Sequence, residues 1–167
     1  LDAYLATTPE LPRRSFGFPI AAYVEPHIEQ GPVLEEAGES VAVVEGVQGL
    51  RWFGLEIAGE AAHAGTTPRA LRRDAMRAAN AILAHLYDAA QDDQDTLRFT
   101  VGRFEVSPGS PNTVPERVYF TIDLRHPSAE EIARMTAEIE AAARKLAVPC
   151  DVTINALADS PPTRFDP

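Results

Sequence analysis

The stretch RVYFTIDLRH, residues 117–126, alternates without a break. Val118, Phe120, Ile122 and Leu124 fall on one side and Tyr119, Thr121, Asp123 and Arg125 on the other, because successive strand residues point to opposite faces. Such a pattern requires a strand with one buried face, and a strand needs neighbours to satisfy its backbone groups. The surrounding sequence offers them. RWFGLEIAG (51–59) alternates with Phe53, Leu55 and Ile57 on one side. TLRFTVGRFEV (96–106) is a strand whose alternation slips near Gly102, the signature of a bulge. CDVTINAL (150–157) is a last strand.

Two helices separate these strands. Residues 66–90 carry apolar side chains at 71, 75, 78, 79, 82 and 86, with Thr67 before Pro68 as the start signal. Ser128 and Glu131 have capping-box spacing, followed by a stripe at Ile132, Met135, Ile139, Ala142 and Leu146. The order over residues 48–157 is β-α-β-β-α-β. It predicts an α+β domain of the ferredoxin-like kind, with a four-stranded antiparallel sheet and both helices on one face. Residues 1–47 read differently. Ile20–Val24 suits a short buried strand and GPVLEEAGES (31–40) a short helix with an acidic first turn, but no second strand is available to pair with. This part is expected to be the edge of a larger domain, and 158–167 a tail returning toward it. The chain begins at Leu1 rather than Met, which fits a piece of a longer protein.

The charge of -10 opposes phosphate backbones, so no nucleic-acid partner is expected. No apolar run is long enough to span a bilayer and no signal-peptide pattern opens the chain, so no membrane association is expected. Asp92, Asp93 and Asp95 read as a solvated loop after a helix. Cys150 is the only cysteine, which excludes an internal disulfide and fits a reducing, cytoplasmic location.

Three segments hold residues able to do chemistry. His27, flanked by Glu25 and Glu29, is alone a structural histidine more often than a ligand, since a metal site needs three or four donors. His63 sits between a strand and a helix, where loops often carry function, yet a polar loop residue is the plainer reading. Asn112 lies in a turn-rich loop. Arg125 ends the alternating strand, where its planar fork suits either a substrate carboxylate or a cross-strand Asp or Glu. Arg69, Arg72, Arg73 and Arg77 read as the solvated face of the first helix, with some pairing to Asp74, and His85 as a surface residue of it.

Together, and in this order, HIEQGPVLE, GEAAHAGTTPRALRRDA and NTVPERVYFTIDLRHP resemble the amidase/hydantoinase/carbamoylase branch of the M20 metallopeptidase family. That branch includes N-carbamoyl-L-amino-acid hydrolases, allantoate amidohydrolases and β-ureidopropionases. The resemblance runs from about Tyr23 to the C-terminus and covers the middle of such an enzyme. It implies a catalytic domain with a divalent metal pair, zinc, manganese or a related ion, into which a β-α-β-β-α-β lid is inserted that forms a homodimer. It implies that His27 is a metal ligand and that Gln30 contacts substrate. It implies that His63 reaches the partner's active site to stabilise an oxyanion, and that Asn112 and Arg125 grip the carboxylate of a small-molecule substrate. Thirteen positions separate that last pair, about 40 Å of extended chain, so both reach one carboxylate only if the loop folds back or the strand bends. The remaining ligand motifs and the general base do not occur here, so the chain alone is expected to be inactive and to hold no tight metal pair. Two other readings stay open: an aminoacylase or peptidase of the same superfamily, and a non-catalytic ferredoxin-like dimerisation or binding module.

Overall fold

A computed structural model describes residues 19–165 together with Thr7 and Gly17. The rest of the expected 1–47 segment and the last two residues of the 158–167 tail lie outside the described residues. The chain divides into two compact units between Val43 and Val44.

In the first unit the only described helix is α1 (Val33–Ala37), with Glu35 and Glu36 in its first turn as expected. Gly38 ends it in the left-handed conformation, φ 70°. The strand expected at Ile20–Val24 is not there: these residues form no ladder, and Ile20, Tyr23 and Val24 are exposed. Apolar composition alone does not make a strand when no described segment pairs with it.

The second unit contains β1 (Gly46–Val47), β2 (Gly49–Ala58), β3 (Ala62–His63), α2 (Ala75–Ala89), β4 (Arg98–Ser107), β5 (Thr113–Val114), β6 (Arg117–His126), α3 (Ala129–Leu146), β7 (Asp151–Ser160) and β8 (Thr163–Arg164). Its main sheet has the order β4-β6-β2-β7, every pair antiparallel, which is the ferredoxin-like arrangement. Along β6, Val118, Phe120, Ile122 and Leu124 are wholly buried. They meet Ile57, Leu55 and Phe53 of β2 in register: Val118↔Ile57, Phe120↔Leu55 and Ile122↔Phe53. The helices close this face with Ala75, Ala78, Ala79, Ile82 and Leu86 of α2 and Ile132, Met135, Ile139, Ala142 and Ala143 of α3. Each large apolar side chain so buried contributes about 1.5–3 kcal/mol. The slip in β4 is a bulge between Val101 and Phe104, where the Arg103 N–H leaves the ladder and donates to Thr121 Oγ1 at 3.1 Å.

Two helix starts differ from the local signals. Thr67-Pro68 does not open α2. Pro68 is extended, a single 3-10 turn follows at Arg69–Leu71, and Leu71 drops out of the stripe to become exposed. The cap is Asp74, whose carboxylate accepts the Arg77 N–H at 3.0 Å. The delay has a tertiary cause. The Arg73 carbonyl accepts the Glu60 N–H at 2.8 Å, and a Cβ on Gly59 would lie 2.0 Å from that same carbonyl oxygen. Gly59 is what lets the backbone following β2 cross so close to the helix start. The capping box of α3 is only half made. Ser128 Oγ accepts the Glu131 N–H, but the Ser128 N–H donates to His126 Nδ1 at 2.9 Å and Glu131 pairs with Arg134.

Candidate functional site

His63 stands on a loop closed at both ends by backbone. At its base Gly59 donates to the Glu116 carbonyl at 2.7 Å, Glu60 to that of Arg73, and Ala75 to that of Pro115 at 3.1 Å. Above this, β3 pairs with β5 as Ala62↔Val114 and His63↔Thr113, and the Ala64 N–H donates to the Asn112 carbonyl at 2.9 Å. Buried Val114 anchors the ribbon. The pairing joins two loops that are far apart in sequence and sets His63 beside the Asn112 segment.

The His63 ring is oriented by its own loop. Nδ1 accepts the N–H groups of Gly65 at 3.0 Å and Thr66 at 3.2 Å. A ring nitrogen that accepts has no proton, so in the neutral imidazole the proton sits on Nε2 and Nε2–H is the donor. A Cβ at Gly65 would come within 3.3 Å of the ring, so glycine gives the imidazole its room. Asn112 is arranged similarly. Its Oδ1 accepts from Ser110 Oγ at 2.7 Å and Thr113 Oγ1 at 3.4 Å, so its amide NH₂ remains as the donor. Both residues are exposed.

Arg125 is elsewhere. It lies opposite Leu50 of β2 and Arg98 of β4. From Arg117 to Arg125 is eight steps of uninterrupted pairing with β2, about 26 Å. Asn112 lies beyond the Arg117 end, held to Ala64. The loop does not fold back along β6, so one chain does not bring Asn112 and Arg125 onto one carboxylate. Arg125 also already holds an anion: Nε donates to both Asp123 oxygens at 2.9 and 3.1 Å, and Nη2 donates to Oδ2 at 2.8 Å. These bonds to Asp123 push its pKa up. The cross-strand acidic partner weighed as the alternative use of Arg125 is not there, since Leu50 and Arg98 lie opposite it; the guanidinium is held instead by Asp123, two residues back on the same strand.

In HIEQGP the parts have separate tasks. The Glu29 carboxylate caps α1, accepting the Val33 and Leu34 N–H groups at 3.1 Å each. Glu25 accepts from the Tyr23 hydroxyl at 2.8 Å, which raises the Tyr23 pKa. Gln30 adopts the left-handed conformation at φ 57°, at a cost on the order of 1 kcal/mol. His27 is exposed, its Nδ1 against the Ile28 carbonyl. Among the described residues no group of three or more His, Cys, Asp or Glu could hold a metal ion. The described side chains therefore do not by themselves make up a metal centre.

The arginines read as one helix face do not share one. Arg72 and Arg73 precede α2. Arg72 donates to two carbonyls of the His63 loop, and Arg73 binds the Pro149 carbonyl and Asp151. Of the four, only Arg77 is in the helix. Nothing in RRDA distinguishes Arg72 as a loop brace; only the position of the helix start does. His85 is exposed on α2, as read, and pairs with Glu138 of α3. Cys150 is buried, which pushes its thiol up and away from thiolate chemistry.

Comparison with known proteins places this geometry. Residues 46–150 match the model of the M20 peptidase dimerisation domain. The chain is 51% identical over 111 residues to an N-carbamoyl-L-amino acid amidohydrolase of Geobacillus stearothermophilus, a match covering 66% of this chain and 27% of that protein. It is 38% identical over 151 residues to the allantoate amidohydrolase of Escherichia coli K12, covering 90% of this chain and 36% of the relative. Among solved structures it superposes on a hydantoinase/carbamoylase-family amidase of Burkholderia multivorans with a TM-score of 0.80 at 36% identity, covering 84% of this chain and 35% of that one. The chain thus spans roughly a third of the length of the proteins it matches.

Proposed function

The chain belongs to the M20 peptidase dimerisation-domain family, and on that premise we propose that it is the lid-bearing part of an amidohydrolase that cleaves the C–N bond of N-carbamoyl-L-amino acids or allantoate. The observation that carries this reading is the His63 ring, held by two backbone N–H groups so that its Nε2–H is a fixed donor. Attack of water on a ureido carbonyl places negative charge on the carbonyl oxygen. A preorganised donor aimed at that oxygen lowers the barrier because it needs no reorientation as the charge develops. His63 takes this role, with the Asn112 amide beside it as a second donor to substrate. Arg125 binds the substrate carboxylate, exchanging Asp123 for the ligand. Since Arg125 and the His63–Asn112 pair lie at opposite ends of β6, a small carboxylate that meets both is held between two copies of the chain. The lid is accordingly the homodimer interface, and each active site is shared.

His27 would supply one ligand of a divalent metal pair, zinc, manganese or a related ion, which when bound would polarise the scissile carbonyl and acidify water. The tasks proposed for this chain's described residues are holding, orienting and hydrogen bonding. Gln30 would contact substrate, as the family resemblance implies. The chain alone is then inactive.

The test is substrate competition with the intact enzyme. N-carbamoyl-L-amino acids, allantoate, and N-acyl-L-amino acids of matched side chain are compared by kcat/KM. Ureido substrates should lead; preference for the N-acyl series would move the protein to an aminoacylase.

A further inference from the structure

Arg72 is the group that ties the His63 loop into one piece. Its Nε donates to the Thr67 carbonyl at 2.9 Å and its Nη2 to the Ala64 carbonyl at 2.7 Å. These two carbonyls flank the Gly65 and Thr66 N–H groups that hold His63 Nδ1, and the Thr67 N–H in turn donates to the His63 carbonyl at 3.1 Å. The guanidinium thus grips the outer side of a tight turn whose inner side grips the ring. Its planar fork can bind two carbonyls at once from a half-buried position, which a lysine ammonium cannot reproduce in the same geometry. The other bonds of the turn do not do this. The bonds of Gly59, Glu60 and Ala75 close the base of the loop, that of Ala64 to the Asn112 carbonyl continues the ribbon above it, and Arg73 faces Pro149 and Asp151.

We propose that Arg72 is a positioning residue. By bridging the Ala64 and Thr67 carbonyls it holds the Gly65 and Thr66 N–H groups on His63 Nδ1, and so keeps the ring in the single Nε2–H tautomer that can donate to an oxyanion. This rests on the oxyanion-donor reading of His63 given above. Arg72 touches no substrate and acts only through the turn. Without it the turn loosens, Nδ1 loses its two donors, and the ring is free to protonate at either nitrogen.

The tautomer can be read directly. In the full chain labelled with nitrogen-15 histidine, ring proton–nitrogen correlations at about pH 8, where imidazole is neutral, distinguish the Nε2–H from the Nδ1–H form. His63→Gln identifies the His63 signals among the four histidines. The native chain should show His63 in the Nε2–H form alone. Arg72→Met should convert it to a mixture of tautomers. Arg73→Met, which removes an equally long basic side chain from the adjacent position, should leave it unchanged. Guanidinium ion added to Arg72→Ala should restore the single tautomer, whereas methylammonium should not. Circular dichroism reports whether each variant is folded, and Arg72→Lys replaces Arg72→Met if the latter is not. A single Nε2–H tautomer persisting in the folded Arg72 variant overturns the proposal and leaves the role of His63 standing. A native chain in which His63 is not in the Nε2–H form overturns the donor reading itself. In the intact enzyme Arg72→Met should lower kcat, by up to about 10²-fold for a misplaced catalytic group, with KM little changed.

Discussion

Ile20–Val24 and Val118–Leu124 are both short stretches that the sequence marks as buried strands, and they end in opposite states. The residues of the second that face inward on β6 are wholly buried, between β2 and β4 and under two helices. Those of the first are exposed, as is Ile28 just after it. The difference is not hydrophobicity but whether other segments supply ladder partners and a second layer. Val118–Leu124 alternates, so it needs only one covered face, and the lid provides that face itself. Ile20–Val24 is apolar throughout, which suits a strand covered on both sides, and the described residues provide neither side.

Core substitution breaks this comparison most directly. Phe120 is buried between the sheet and the helices, and Phe120→Ala should cost about 3–5 kcal/mol through lost transfer energy and a residual cavity. Val24→Ala should change stability by less than about 0.5 kcal/mol, as exposed substitutions do. Urea denaturation of the two variants against the native chain measures both. A large loss at Val24 would show that the first unit buries this run after all.

The same contrast explains what could be read from the sequence. β6, β2 and the α3 stripe were legible because each carries its own period, and the bulge at Gly102 because the period slips there. The start of α2 was not, because Thr67-Pro68 has every local feature of a cap. What overrides it is a bond from Glu60, fifteen residues before the helix starts at Ala75, to the Arg73 carbonyl, made possible by Gly59. The role of Arg72 was hidden for the same reason. His63 and Asn112 were legible only as members of motifs. That they share a ribbon depends on the β3–β5 pairing, two residues long on each side and without a periodic signal. Arg125 was placed correctly on the outer face of its strand, but a linear motif does not show that Asp123 occupies it or that Asn112 lies at the other end of the sheet.

The two ends of β6 can be separated in the intact enzyme. If His63 is the proposed oxyanion donor, His63→Ala should lower kcat by about 10²- to 10³-fold, roughly 3 kcal/mol, with the dimer intact by sedimentation. Arg125→Ala should act on ground state and transition state together, raising KM and losing about 1.5–3 kcal/mol in kcat/KM. If the site is shared, mixing the His63→Ala enzyme with the Arg125→Ala enzyme places both lesions in one of the two sites of each mixed dimer and leaves the other site whole. Activity should then rise above that of either variant alone. No recovery while the subunits demonstrably exchange would place both ends of β6 in separate sites.

The smallest effect sharpens the comparison within the lid, where even an exposed loop is held by design of its hydrogen bonds. Asp92 accepts the N–H groups of Leu97 at 2.6 Å, Thr96 at 3.0 and 3.1 Å, and Gln94 at 2.8 Å. The bonds from Leu97 and Thr96, in that order, hold its carboxyl below the usual carboxylate range. The folded state therefore favours the ionised form more than the unfolded chain does. That contribution is fully present above the unfolded pKa of about 4 and is lost as pH falls through the lower folded value. Asp92→Asn has no carboxylate to titrate and should show a flatter fall of Tm with pH in that acid window, with a small loss at neutral pH. Because Asp92 is exposed to solvent, the difference should also shrink as salt is raised. Parallel Tm-against-pH curves for the two proteins would mean that the Leu97 and Thr96 bonds do not persist in solution, and that this loop is the freely solvated turn its three aspartates suggest.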